Sequence, residues 1–429
     1  MVKALFGWQR EGEAFVSPFT AAMPRRIPLL RIFVYVCLFA LLLSACEFGT
    51  NSPASGTGSS TPGPVGEAVA SQPPAVSTVV VSPVPSISYT SAWGAQVPVD
   101  LISLEIGRDY FLIPQSVTPD GRFLLATSNF YDRTGGPLVT PTKLVMIGVG
   151  DHQATEIRAT SPGDTQLYEA NADDNWIVWT EAPKEPGFYS DWIIYAYNRS
   201  DRSLKKIAKA PRNKDGLPAL GSDGSASVER GMAVWSEAVP DTGDSPASVV
   251  KLADLATGEV KTLGENGYIP TISWPNVAWL EVQGQQSQGQ QSGDTRITVL
   301  NLETGAKKVL TKPQMPSGFA MRNGSIAWIT QKSDRLILTD LDETFEQTIV
   351  TARGTELLEA PYINDRLITW SGEGRTQVWD RKLNALVTLT TGVVTRHFVS
   401  ARNLVWITPL GPGPEDPKNI DVLDTTLLP

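Results

Sequence analysis

The chain has 429 residues, with 36 Lys and Arg against 45 Asp and Glu, two His, two Cys and 12 Trp. So few Cys and His exclude a zinc cluster or a disulfide framework. The acidic balance argues against a nucleic-acid partner, which would need clustered cations. Abundant Trp, Gly and Pro with little charge points to an all-β chain with many turns.

Residues 27–45 read IPLLRIFVYVCLFALLLSA, preceded by Arg25 and Arg26 and ending in small residues before Cys46. A positive start, an apolar run and small residues at the exit make a signal segment. Residues 1–22 carry Glu11 and Glu13 and no apolar run, so Met23 is the better translation start. Leu43-Ser44-Ala45-Cys46 resembles the lipobox of bacterial lipoproteins. That resemblance implies cleavage before Cys46 and diacylglyceryl attachment to its sulfur. It places the protein on the cell membrane or envelope, anchored by lipid on the extracytoplasmic side. Cleavage of 1–45 takes the net charge from −9 to −12. A chain this acidic should touch an anionic membrane through its lipid alone.

Residues 46–99 hold the lipidated Cys and then a tether rich in Ser, Thr, Pro and Gly. Over 47–92 only Glu47 and Glu67 are charged. Such a segment buries too little apolar surface to offset its chain entropy and is expected to be disordered. Its root-mean-square span is roughly 40 Å. Its one apolar stretch, 76–88, contains Pro and is a poor central strand.

From residue 100 to 429 one pattern recurs. Short apolar strands centred on Trp179, Trp235, Trp279, Trp328, Trp370 and Trp406 repeat every 36 to 56 residues, and 121–128 is a copy without Trp. Repeats of this period signal a solenoid, propeller or array. The copy around Trp279 parses into four strands: A (267–274), B (276–281), C (295–303) and D (307–311). Four-stranded units repeated radially form a β-propeller. Strand B is apolar on both faces, as a strand packed between neighbouring sheets must be.

The last copy ends without a strand D, and 100–106 (DLISLEI) precedes the first copy as an unassigned strand. If that N-terminal strand completes the last blade, seven blades close and no open edge remains. Six blades is the alternative, since the third copy has a polar, Gly-rich strand A.

Asx and Gly recur at the A–B and C–D turns, where they accept left-handed backbone or cap the turn. These acids are therefore read as turn chemistry. The B–C connections are long in five copies, at 129–142, 182–191, 238–248, 282–294 and 409–418. All lie on one face, which is expected to carry function, since binding residues favour loops on a rigid scaffold. Phe188 and Tyr189 are the candidate binding residues there, able to anchor a protein or stack on a sugar. Trp192 is expected to start a strand and pack in the core.

The segment TPDGRFLLATS (118–128) resembles the TolB-type propeller repeat, and the other copies resemble an Ile-Val-Trp variant of bacterial surface propellers. The resemblance implies a propeller across 100–429.

His152 and His397 fall in different copies with no acid cluster beside them, as surface or channel-lining groups. No Gly-x-Ser-x-Gly elbow, Walker loop or dinucleotide fingerprint occurs. No catalytic residue, metal ligand or cofactor site is assigned, and the chain is expected not to be an enzyme. The expected role is a membrane-anchored binding or scaffold module. The alternatives are a propeller enzyme acting on polysaccharide or peptide, and a structural part of an envelope assembly complex.

Overall fold

The computed structural model describes residues 78–79, 86–103, 105–106, 110–130, 143–160, 165–183, 191–219, 224–240, 247–283, 294–310, 316–352, 358–372, 375–390, 397–409 and 418–429. The signal segment and Cys46 lie outside them.

Blade 4 shows the unit. Strands Gly267–Ser273 (A), Asn276–Gln283 (B), Asp294–Asn301 (C) and Lys307–Leu310 (D) pair antiparallel in chain order. Six further sheets repeat this order: blade 1 over 110–159, blade 2 over 165–209, blade 3 over 226–265, blade 5 over 316–351, blade 6 over 359–390, and blade 7. Blade 7 is built from His397–Val399, Asn403–Pro409 and Lys418–Asp424, with Asp100–Ser103 as its outer strand. The N-terminal strand thus closes a seven-bladed ring. The expected strand 100–106 is in fact divided. Asp100–Ser103 pairs with 419–422 of blade 7, whereas Glu105–Ile106 pairs with Tyr110 and Phe111 of blade 1.

Seven apolar clusters form the core, one between each pair of adjacent blades. Strand B feeds two of them by strict alternation. In blade 4, Val277 and Trp279 face blade 3, while Ala278 and Leu280 face blade 5. This is why strand B is apolar at every position. All six repeat Trp residues are buried, and each packs on the preceding blade.

The Trp279 indole leaves no room for neighbouring side chains. A Cβ at Gly264 would lie 2.7 Å from the ring, and one at Gly267 likewise. Gly264→Ala forces a fully buried ring out of its place, which costs about 2 kcal/mol. Urea denaturation should show that loss. No change in midpoint would mean the ring can yield.

The turn acids behave as expected. Asn198, Asp254, Asn301, Asp340 and Asp380 each accept main-chain N–H groups of their own C–D turn, and Asp424 caps the short 3-10 helix Thr425–Leu427 after the last strand in the same way. The TPDGR turn has the same logic: Thr118 Oγ1 donates to Asp120 at 2.6 Å, Asp120 accepts from Arg122 N, and Gly121 sits at φ 74°.

Part of the segment 46–99 is built into the ring. Thr78–Val79 adds a parallel strand to the outer edge of blade 5, and Ser86–Ser88 does the same for blade 6. A short helix, Tyr89–Trp93, follows and buries Trp93. The edges they cover are Glu346–Thr351 (EQTIVT) and Ala385–Thr390 (ALVTLT), which hold no Lys. Outer strands of blades 2, 3 and 4 carry Lys205, Lys206, Lys261, Lys307 and Lys308. Lysine on an edge blocks strand addition; the edges of blades 5 and 6, which lack it, are covered by the chain itself.

Candidate functional site

The two ends of the ring differ. At the A–B turn end, polar contacts lace blade to blade. Asp173 Oδ2 accepts from Gly231 N at 2.6 Å, and Glu229 accepts from Trp274 N at 2.7 Å. Asn323 N donates to Ser273 Oγ, Asn323 Nδ2 to Asp365, and Asn364 Nδ2 to Ser400 O. This end is a structural hoop.

At the other end the B–C connections leave. Their strand stems are pinned in register by Val239 opposite Ala247, Gln283 opposite Asp294 and Pro409 opposite Lys418. The connections of blades 5 and 6 are short, as expected. Just inside these stems, two residues beyond the repeat Trp, blades 2, 3 and 4 carry Glu181, Glu237 and Glu281. Arg158 of blade 1 grips the buried Glu181 at 2.7 and 3.2 Å, and Trp179 Nε1 donates to it at 3.1 Å. Lys251 lies 4.0 Å from Glu237, and Lys307 lies 3.2 Å from Glu281. Each acid has its cation, so this shelf fixes the loop stems.

Phe188, Tyr189 and Cys46 lie outside the described residues. Trp192, beside the first two, is fully buried against blade 3. It occupies the space a side chain at Gly224 would need, 2.4 Å from the ring.

The most perturbed titratable groups sit together in blade 7. His397, Trp406 and Asp421 are opposite one another in register and so share one sheet face. Trp406 places that face against blade 6. His397 is therefore neither on the surface nor channel-lining, as its sequence context suggested: it is 4% exposed and packed between blades. Its imidazole nitrogens lack hydrogen-bond partners. Burial pushes it down to about 4, with a weak opposing effect from the Trp370 main chain. Asp421 is 7% exposed and its Oδ2 is unpartnered. Burial pushes it up to about 6 against hydrogen bonds from Thr408. Nothing in the sequence marked Asp421 as special, since its burial depends on the blade 6 contact. His152 stands exposed in a turn at φ 57°, as expected. Among the described residues no cluster of three His, Cys, Asp or Glu could hold a metal ion.

These two shifts oppose each other. The native state disfavours charged His397, so that contribution to stability is present above pH 6.5 and is lost as the pH falls toward 4. The native state also disfavours ionised Asp421, so its contribution is present below pH 4 and lost as the pH rises to 6. Near pH 5 both penalties act together, and it is only their opposite pH slopes that offset each other. Asp421→Asn removes one of them and should stabilise the protein at pH 7 by up to about 3 kcal/mol. The gain should vanish near pH 4. A constant difference from pH 4 to 7 in urea denaturation would contradict the assignment.

The chain is a seven-bladed β-propeller. Its sequence matches no described family and no curated protein. Among solved structures it is similar to the propeller domain of the trilobed protease from Pyrococcus furiosus, at 11% identity and TM-score 0.49, covering 75% of this chain and 95% of that one. It is also similar to oligogalacturonate lyase from Vibrio parahaemolyticus (10%, TM-score 0.45, 77% and 94%) and to TolB from Acinetobacter baumannii (16%, TM-score 0.34, 57% and 55%). At such identities the likeness concerns the fold. It corrects one expectation: the chain was not expected to be an enzyme, yet propellers it resembles include a lyase and a protease domain. This fold gives no ground for excluding an activity.

Proposed function

We propose that the protein is a lipoprotein anchored through Cys46 on the extracytoplasmic side of the membrane, and that its propeller binds a protein or glycan partner through the long-connection face. One observation carries the reading. Five of the seven B–C connections are long, and they leave from strand stems held in register, while the opposite end is spent on blade-to-blade contacts. A rigid platform with variable loops is the usual arrangement for recognition.

The test is to remove 284–293 and, separately, 184–190, replacing each with a two-residue turn. Partner capture from detergent-solubilised envelope should fall with the melting temperature unchanged. Full capture by both variants would overturn the reading.

A further inference from the structure

The grooves between blades at the A–B turn end can be compared, because the first residue of strand B occupies the same place in each. Register fixes the correspondence: Phe123 opposite Gly148, Trp176 opposite Asn198, Met232 opposite Asp254 and Leu367 opposite Asp380. Between blades 1 and 2, Phe123 lies beneath the Arg199 guanidinium, 5.0 Å away. Between blades 2 and 3, Trp176 lies beneath Lys205, 5.1 Å from its ring. Lys205 also donates to Leu255 O across the gap. Between blades 6 and 7, the strand-B residue is only Leu367, and an aromatic ring is imported. Trp93 of the N-terminal linker is buried beside Leu367, Val378 and Leu423. Its Nε1 donates to Asp380 Oδ2 at 2.8 Å.

Between blades 3 and 4 the strand-B residue is again not aromatic. It is Met232, and a cavity of about 210 Å³ remains. Met232, Leu252 and Leu302 give it apolar surface, Trp274 a flat wall, and Asp254 and Lys261 a polar rim. The wall is held in place: Trp274 Nε1 donates to Glu303 at 3.2 Å, and Arg230 lies 5.5 Å from its ring. Asp254 corresponds to Asp380. Each spends Oδ1 on two N–H groups of its own turn, Ala256 and Thr257 in one blade, Lys382 and Leu383 in the other. In blade 6, Oδ2 takes the Trp93 indole together with the Arg366 guanidinium.

We propose that the notch between blades 3 and 4 receives a tryptophan side chain of a partner protein, its indole N–H donated to Asp254 Oδ2. The cavity has the size of one large side chain and is smaller than a drug-sized ligand site. A Leu or Met anchor would fill the apolar part and leave the aspartate without its donor, which disfavours it against an indole. Trp is also the side chain most enriched among interface anchors, where a pocket excludes water around it. The chain's own Trp93 is already committed at the 6/7 groove. The site is on the end opposite the long connections, so it is a second surface, independent of the function proposed above.

The probe is a fluorescein-labelled peptide of residues 86–98, which carries Trp93 in its native context, titrated onto the full chain by anisotropy. Saturable binding is expected below about 1 mM. Replacing the peptide's Trp93 by Ala should weaken it by about tenfold or more. Met232→Trp fills the notch from within, as Trp176 does in blade 2, and should abolish binding. Asp254→Asn keeps the turn cap, since Asn198 and Asn301 serve there in blades 2 and 4. It should weaken binding severalfold even if Met232→Trp does not fold. Absence of binding, or binding unaffected by Met232→Trp and Asp254→Asn, would overturn the proposal. Self-association that Met232→Trp abolishes in sedimentation would also overturn it, by making the occupant a second copy.

Discussion

Ile102→Asp is expected to destabilise the propeller by about 4 kcal/mol or more, while Leu101→Asp one residue away should change stability by no more than about 0.5 kcal/mol. Both residues lie in the strand that closes the ring. Ile102 is 3% exposed and packs into the cluster between blades 7 and 1, with Phe398, Val405 and Ile420. Leu101 is 52% exposed on the other face. A buried carboxylate with no cation is costly, and here it also loosens the joint between the two ends of the chain. Guanidinium denaturation of the two variants measures the contrast. Equal stability of the pair would mean that the strand does not close blade 7 in solution.

The second large effect is expected at Asp380, which is fully buried. It accepts from Arg366 Nε and Nη2, from Trp93 Nε1 and from two turn N–H groups. Arg366 in turn donates from Nη1 to the main-chain carbonyl of Leu428, near the C-terminus. One carboxylate thus ties the N-terminal linker, blade 6 and the end of the chain. Asp380→Ala leaves the Arg366 guanidinium without its partner and should cost about 3–5 kcal/mol. Asp380→Asn keeps the turn cap on its one oxygen but turns its NH2 toward the Trp93 indole and Arg366, so it should recover only part of the loss. If the two variants were equally stable, the turn cap would have no part in the effect; a loss below about 1 kcal/mol in Asp380→Ala would contradict the tie itself. Trp93→Ala should loosen the linker with a smaller loss, and limited proteolysis would then cut near residue 93 first.

The architecture was legible because it is repeated. Trp179, Trp279 and Trp406 mark strand B in the sequence, and the alternation Val277-Ala278-Trp279-Leu280 becomes the two-sided packing of that strand. The absent strand D at the C-terminus pointed to closure by residues near 100. The turn acids were also legible, since Asn and Asp at one repeat position have one local job. What escaped the sequence is what occurs once. Thr78–Val79 and Ser86–Ser88 are too short, and their surroundings too rich in Pro, to read as strands, and their partners are edges more than 250 residues away. Trp93 was the signal that could have found them: a lone Trp in a Ser- and Pro-rich stretch needs somewhere to be buried. Asp421 and His397 look ordinary in sequence. Their burial arises only where blade 7 meets blade 6. The notch is likewise visible only after register shows that Met232 stands where Trp176 stands one blade earlier.

The division of labour between the two ends of the ring is tested most directly by amide hydrogen exchange on the protein with and without its envelope-bound partner. The expected result is added protection at the loop-side stems, 180–183, 238–239, 282–283 and 407–409. Carried out on Met232→Trp protein, with the notch filled, the measurement reads the loop face alone. Protection confined to the A–B turn end, around 118–123, 273–276 and 400–403, would contradict the assignment of function to the long-connection face.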